Sequence, residues 1–288
     1  MEFPGKKITE ALQKSLKKEV LKLNKKKPIK LVVFLVQDSP DQASFVKIKG
    51  KIAKKIGIEY EVIRYKAIPS FEEFMHQIKS KSMDPTVTGI IIQQPLPAQL
   101  LTASIYDYIP LKKEIEGHKY KTPFLPPIGL AILTTLKYFY SHKKIDKNLF
   151  FDVAKDKGFI KKTLRNKKIV IVGRGTTGGQ PIGKTLSETK INYISINSET
   201  PEPETYLKEA DIVITAAGCK VINCSMLKPG VALINVGLRK ENGRLKGDYD
   251  EKEIKHISSF YTPTPGGVGP IDVIYLYKNL IEAAKLQR

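Results

Sequence analysis

Gly173-Arg174-Gly175-Thr176-Thr177-Gly178 has the spacing G-x-G-x-x-G and stands directly behind the run Lys167-Lys168-Ile169-Val170-Ile171-Val172. Glycines at those intervals permit a tight turn and let the backbone approach a pyrophosphate, whose charge then rests on unpaired N–H groups at the start of the following helix. A dinucleotide is the ligand this pattern points to; a turn that only packs helix on strand is the plainer alternative. The next strand ends Ile196-Asn197-Ser198 with no acid at its tip, and Arg174 lies in the glycine loop. An acid there would take a ribose hydroxyl, whereas cations and small donors suit a 2′-phosphate, so the local chemistry favours NADP over NAD. Glu199, one residue further on, is the side chain that would reverse this preference.

Lys49 is the second candidate. At about 100° per residue, Phe45, Val46, Ile48, Ile52, Ala53 and Ile56 form one apolar face with Lys49 near its middle, while Lys47, Lys51, Lys54 and Lys55 project from the other side. An ammonium on a buried face is costly, which suits a lysine that must exchange protons near neutrality. A lysine whose stem packs while its head reaches water fits the same pattern. Phe45 precedes it by one turn, so ring and amine face one space.

Third, Ile91-Ile92-Gln93-Gln94-Pro95-Leu96-Pro97 runs a buried strand straight into two amides and a proline turn. Ligands in open α/β sheets sit at strand C-termini, so Gln93 is placed to bond Lys49 or a substrate, or else to cap loop backbone. Fourth, Thr262-Pro263-Thr264-Pro265-Gly266-Gly267-Val268-Gly269-Pro270 is too rich in Pro and Gly for a helix or strand interior. Gly266 and Gly267 permit close ligand approach; an interdomain hinge is the other reading.

These residues need elements to hold them. Periodicity predicts an opening amphipathic helix over 6–25, then strands at 29–37, 58–65 and 87–93 alternating with helices at 40–57 and 70–82. Residues 127–142 read as a long helix, and the lysine-rich stretch 143–168 as a connector or insertion. A second series follows: a strand to Gly173, a helix after Gly178, strands at 191–196, 210–218, 231–237 and near 257–260, and a closing helix over 270–287. Such β-α-β punctuation implies parallel sheets with helices on their faces. No internal repeat is present.

With 288 residues, 41% hydrophobic and 27% charged, the chain can bury real cores and has room for two domains, which excludes intrinsic disorder. Its longest apolar run, Leu31 to Val36, is far short of a bilayer span. The early lysines do not fit a signal peptide, so a soluble cytoplasmic protein is expected. Cys219 and Cys224 form no C-x-x-C pair and have no set of histidines around them, so neither metal nor disulfide is expected. The net charge of +20 raises a nucleic-acid partner, but the lysines are scattered among glutamates without a zinc-finger, RNP or basic-zipper pattern. A solvated lysine-rich surface, or a positive field that draws in anionic small substrates, accounts for it better.

Taken together these residues resemble the bifunctional methylenetetrahydrofolate dehydrogenase/cyclohydrolase family nearly end to end. Its Y-V-x-x-K helix is similar to Phe45-Val46-Lys47-Ile48-Lys49, its V-Q-L-P-L-P strand end to Ile92 through Pro97, and its K-D-V-D-G turn to Lys113-Glu114-Ile115-Glu116-Gly117. Its G-R-S-x-x-V-G-x-P loop resembles Gly173 through Pro181, and its P-V-P-G-G-V-G-P-M-T signature resembles Pro263 through Asp272, the most specific of the matches. The resemblance implies a two-domain α/β fold. A folate-binding catalytic domain, 1–142 completed by 268–288, joins a Rossmann-type NADP domain, 143–267, with 143–166 as the connector and the C-terminal helix packing on the first domain. It implies oxidation of methylenetetrahydrofolate with NADP, hydrolysis of the methenyl product, substrates that include polyglutamylated folates, and a homodimer.

By that pattern Lys49 is the general acid/base, Gln93 holds and tunes it, and Glu116 binds the pterin. Phe45, Ile92, Gln94, Pro263, Pro265, Gly266, Gly267, Val268 and Asp272 line the folate site. Gly173, Arg174, Gly175, Gly178, Gly179, Ser198 and Leu238 hold the cofactor, Arg174 and Ser198 at its phosphate. Several positions depart from the pattern. Phe45 replaces tyrosine and so lacks the hydroxyl that could orient water or Lys49, and Glu116 replaces aspartate with one methylene more. Gly175 replaces serine, Asn197 histidine and Asp272 threonine; Phe124 through Gly129 match P-C-T-P-x-G only loosely, and 143–168 is longer than usual. Two rivals remain at this stage: a Rossmann dehydrogenase with another small substrate, and a basic nucleic-acid-binding or scaffold protein without turnover.

Overall fold

Apolar runs and helical faces resolve into alternating strands and helices in a computed structural model that describes residues 1–37, 39–141 and 144–288, with Ala103 described in its backbone only. In chain order these are α1 (Gly5–Asn24), β1 (Lys30–Val36), α2 (Pro40–Ile56), β2 (Glu59–Tyr65), α3 (Phe71–Met83), β3 (Gly89–Ile92) and α4 (Pro127–Ser141). Then come α5 (Val153–Leu164), β4 (Ile169–Val172), α6 (Gly179–Glu188), β5 (Ile194–Ile196), α7 (Pro203–Glu209), β6 (Ile212–Thr215) and β7 (Ala232–Asn235). A hairpin of β8 (Arg239–Glu241) and β9 (Arg244–Lys246), α8 (Glu251–Ile254), β10 (Phe260–Tyr261) and α9 (Val268–Leu286) complete the chain. Among the described residues no helix is long and apolar enough to cross a membrane.

Two compact units result, one of residues 13–127 with 273–288, the other of residues 1–12 with 128–272. In the first, the parallel sheet has the order β2-β1-β3, with Phe34 paired to Ile63 on one side and Ile92 on the other. Every residue of β3, and Leu31 to Val36 of β1, is buried, as a strand covered on both faces requires. Val32, Phe34, Ile90 and Ile92 pack on Phe74 and Ile78 of α3. At the start of α2, the Ser39 hydroxyl accepts from the Gln42 N–H while the Gln42 side chain accepts from the Ser39 N–H, a capping box reinforced by Pro40; Gly57 ends the helix at φ 87°.

In the second unit the sheet is parallel throughout, in the order β10-β7-β6-β4-β5. The chain leaves β4 for β5 on one side and returns to β6 on the other, so β4 and β6 flank a topological switch point, where such sheets bind ligands.

Three features differ from the sequence expectation. The boundary expected at 142/143 falls on residues outside those described, and the units divide instead at 127/128. The reason is local: α4 packs within the second unit, with Gly129 against Thr185 of α6 and Phe139 on the Phe260 ring at 4.5 Å. Half of the expected connector 143–166 is helix α5. Asp152 caps it by accepting from the N–H groups of Ala154 and Lys155, and Asp156 is buried against Lys137 at 2.5 Å. Lys137 also donates to the carbonyls of Asn148 and Phe150, at 2.6 and 3.0 Å. Finally, the β8–β9 hairpin was unforeseen although Asn242-Gly243, at φ 51° and 72°, is a turn dipeptide suited to it.

Candidate active site

In the first unit, Lys49 projects from α2 and its Nζ donates to Gln93 Oε1 at 3.0 Å. Gln93 is buried just past the end of β3; its backbone N–H donates to Phe34 O at 2.9 Å and its side-chain amide to Gln94 O at 2.8 Å. With its nitrogen committed to Gln94, the Gln93 oxygen is turned toward the lysine. Tyr277 of α9 donates to the Lys49 carbonyl at 2.6 Å and Gln42 of α2 to Pro95 O at 2.7 Å, so α2 is tied to α9 and, near its start, to the strand-end loop.

Glu116 reaches the same strand end by register. A parallel bridge pairs Glu114 with Ile90, and two residues further along each chain lie Glu116 and Ile92. The turn is held by Glu114, which is 1% exposed: its carboxylate accepts from the N–H groups of Glu116 at 2.8 Å and Lys119 at 3.3 Å. Burial pushes the Glu114 carboxyl up. Burial also acts to raise Glu116, but His118 beside it, with the positive fields of Lys49 and His118, prevails and holds it below the usual glutamate range. Asn279 of α9 fixes the flanks by donating to Ile115 O at 2.8 Å and Leu125 O at 3.0 Å.

The apolar face expected around Lys49 is only partly covered. Val46, Ala53 and Ile56 are buried, whereas Phe45 and Ile48 are 42% and 43% exposed, and Lys49 is half-buried at the border. The helical period locates a face correctly but does not say what covers its rim. Phe45 and Ile48 thus leave an apolar rim beside an amine and a carboxylate. Ile92 is buried beneath it, and Gln94 Nε2 donates to the Tyr106 hydroxyl at 2.9 Å.

In the second unit, the glycine turn follows β4 as expected. Gly173 has φ 108°, and a Cβ on Gly179 would stand 1.9 Å from the Gly173 carbonyl oxygen, so strand, turn and α6 close only without side chains there. Gly178 caps α6, and Gly175 faces open space. Arg174 Nη2 donates to Ser195 O at 2.7 Å, which holds the guanidinium over β5, and Ser198 is exposed just beyond that strand. Leu238, past β7, is 40% exposed.

Pro263 to Asp272 lie in this second unit, with Gly266 at φ 103° and Val268 buried at the first position of α9. Their close approach is partly to the chain itself, since a Cβ on Gly5 would stand 2.3 Å from Gly266 O. Asp272 is half-buried in α9. The sequence reading missed the polar network beneath this end of the sheet. Asp248 is fully buried and accepts from the N–H groups of Ala217 at 2.8 Å and Gly218 at 3.0 Å, in the loop after β6. Asn235 at the end of β7 joins Thr215, Asp248, Gly237 and Thr264. Tyr106 and His118, stacked at 4.3 Å, were also missed in the first unit. No motif marks these residues; the one signal was a polar side chain recurring at strand ends.

Two family models match successive parts of the chain. The tetrahydrofolate dehydrogenase/cyclohydrolase catalytic domain matches residues 3–116, and the NAD(P)-binding domain of the same family matches residues 158–288. The bifunctional protein FolD of Brevibacillus brevis is 32% identical over 292 residues, covering 98% of this chain and 96% of its own. That of Staphylococcus aureus strain Newman is 30% identical, covering 99% and 96%. The crystal structure of the bifunctional FolD methylenetetrahydrofolate dehydrogenase/cyclohydrolase from Campylobacter jejuni superposes with a TM-score of 0.87 at 28% identity, covering 100% of this chain and 99% of that one. The chain belongs to the tetrahydrofolate dehydrogenase/cyclohydrolase family.

Proposed function

We propose that this protein oxidises 5,10-methylenetetrahydrofolate to the 5,10-methenyl cation with NADP and hydrolyses that cation to 10-formyltetrahydrofolate. The observation that carries the reading is the Lys49–Gln93 pair at 3.0 Å, with Glu116 close enough for Lys49 to stabilise its charge, inside the family's catalytic domain. NADP, when bound, supplies the acceptor for the hydride that leaves the methylene carbon. For this chain, oxidation is a matter of positioning: the glycine turn and the start of α6 receive the pyrophosphate, and Arg174 with Ser198 takes the 2′-phosphate. The absence of an acid at the tip of β5 fits that phosphate.

Hydrolysis requires proton transfer. Lys49 takes a proton from water as its oxygen bonds to the methenyl carbon; as the bond from that carbon to N5 breaks, N5 is protonated, and one proton leaves to solvent. Gln93, by accepting from Nζ, fixes where the amine points. Glu116, ionised at neutral pH, accepts from the pterin N–H groups, and Phe45 and Ile48 cover its apolar surface. The unit of residues 13–127 and 273–288 is accordingly the folate domain and the other the NADP domain. The reading extends to a homodimer acting in the cytoplasm on folates that include polyglutamylated forms.

The test is to follow the NADPH and methenyl absorbance bands after adding methylenetetrahydrofolate with NADP or with NAD. NADPH formation with transient methenyl accumulation is expected. Absence of reduced cofactor with either nucleotide would overturn the proposal, and equal rates with both would overturn the NADP preference.

A further inference from the structure

Glu116 carries one more methylene than the aspartate of the family motif it resembles, and therefore one more torsion for its carboxylate to explore. Its backbone is fixed on both sides, by Glu114 below and by Asn279 on the Ile115 carbonyl. What remains free is the side chain. His118, two residues on and across Gly117 at φ 80°, brings Nε2 to 3.7 Å from Glu116 Oε2. We infer that His118 is the positioning residue that aims the Glu116 carboxylate at the substrate, and that Tyr106 and Gln94 hold the imidazole in place to do so.

The imidazole is itself oriented. It stacks on the Tyr106 ring at 4.3 Å and 24°, and the Tyr106 hydroxyl accepts from Gln94 Nε2 at 2.9 Å. Gln94 Oε1 in turn accepts from the Leu96 N–H at 3.1 Å, and the Gln94 carbonyl accepts from Gln93, the partner of Lys49. A chain of hydrogen bonds, completed by the Tyr106–His118 stack, thus runs from the amine through the strand end to the imidazole beside the carboxylate. Both Glu116 and His118 retain access to solvent, with side chains 20% and 28% exposed, so the pair can meet a ligand. A histidine that only filled space would need neither a nitrogen facing the carboxylate nor a ring plane set by a tethered tyrosine.

The inference rests on the folate reading above, and the experiment separates the two. Steady-state dehydrogenase kinetics are compared for the native protein, His118→Phe, which keeps a stacking ring without the N–H, and His118→Gln, which restores a donor without the ring. His118→Phe should raise the KM for methylenetetrahydrofolate about tenfold, equivalent to about 1.4 kcal/mol, while kcat and the KM for NADP stay within about twofold. His118→Gln, which restores the donor but not the stacked ring, should recover part of the folate KM. An active native protein whose folate KM is unmoved by His118→Phe, or is raised equally by both variants, overturns this inference alone. A native protein without turnover overturns the folate reading and this inference with it.

Discussion

The glycine turn and the Lys49–Gln93 pair occupy equivalent places in two different sheets. Both lie beside a switch point at strand C-termini: the turn follows β4, between β5 and β6, while the pair joins α2, the helix after β1, to the end of the neighbouring edge strand β3. Yet they are built by opposite means. The turn is a backbone device, in which missing side chains let strand, loop and helix touch. The other site is a side-chain device, in which an amine, an amide and a carboxylate are fixed by hydrogen bonds over an intact helix and strand. The first kind of site fails together with its fold, and the second should lose its chemistry while the fold stands.

The strongest test of that contrast is Lys49→Met. Losing a general acid/base typically costs about 10² to 10⁴ in rate, so decay of added methenyltetrahydrofolate should fall at least about 100-fold. NADP binding and the thermal midpoint should barely move, because Lys49 is half-buried at the border of α2. Hydrolysis at the native rate would remove Lys49 from the mechanism.

On the other side of the comparison stands a pair of alanines in one turn. Gly179→Ala would drive a methyl into the Gly173 carbonyl, where only backbone can yield; a loss of about 2–3 kcal/mol of stability together with loss of NADP affinity is expected. Gly175→Ala meets nothing within 4 Å and should shift stability by less than about 0.5 kcal/mol. Urea unfolding and NADP titration of the two variants read this directly. Equal effects would show that the turn is not held by contact.

Asp248 sharpens the contrast, since it is a side chain serving the backbone device. Asp248→Ala leaves the part-buried N–H groups of Ala217 and Gly218 without this acceptor and should cost about 1–2 kcal/mol. Burial raises the native Asp248 carboxyl above its unfolded value and outweighs the Ala217 and Gly218 N–H groups that favour the anion. The native state therefore binds this proton more tightly than the unfolded chain does. The stabilisation is complete below the ordinary aspartate range and is lost as pH rises through the raised native value. Across acid pH the urea midpoint of the native protein should fall, as pH rises, relative to that of Asp248→Asn.

The same division explains what could be read from the sequence. The apolar run before Gly173 and the glycine intervals after it are local facts, and strand, turn and helix appear where the pattern places them. The lysine-rich stretch hid α5 because part of its buried face is ionic: Asp156 counts as polar in any periodicity, yet it is sealed against Lys137 from another helix. Phe45 and Ile48 read as core for the converse reason, because helical spacing gives a direction and not a neighbour. Tyr106 and His118 carry no motif, Glu114 stands in one without an assigned role, and Asp248 receives its N–H donors from residues about thirty positions away. Lys49, Gln93 and Glu116 were individually visible; that they converge depends on the bridge between Ile90 and Glu114, which no residue type announces.

The smallest expected effect tests whether the side-chain site can be improved without touching the fold. Phe45 lies one helical turn before Lys49 and is 42% exposed, so its ring and the amine share one partly open face. In Phe45→Tyr the added hydroxyl shares a helix face with the Lys49 amine and is expected to orient the attacking water. One such neutral hydrogen bond contributes about 1 kcal/mol, so hydrolysis of methenyltetrahydrofolate should rise about fivefold. Hydride transfer asks nothing of a proton donor at this position, and the dehydrogenase rate should stay within about twofold of native. The ratio of methenyl decay to NADPH formation in one cuvette measures the effect free of errors in enzyme concentration. A rise in both rates together would assign Phe45 to folate binding and leave the orientation of water to Lys49 and Gln93 alone.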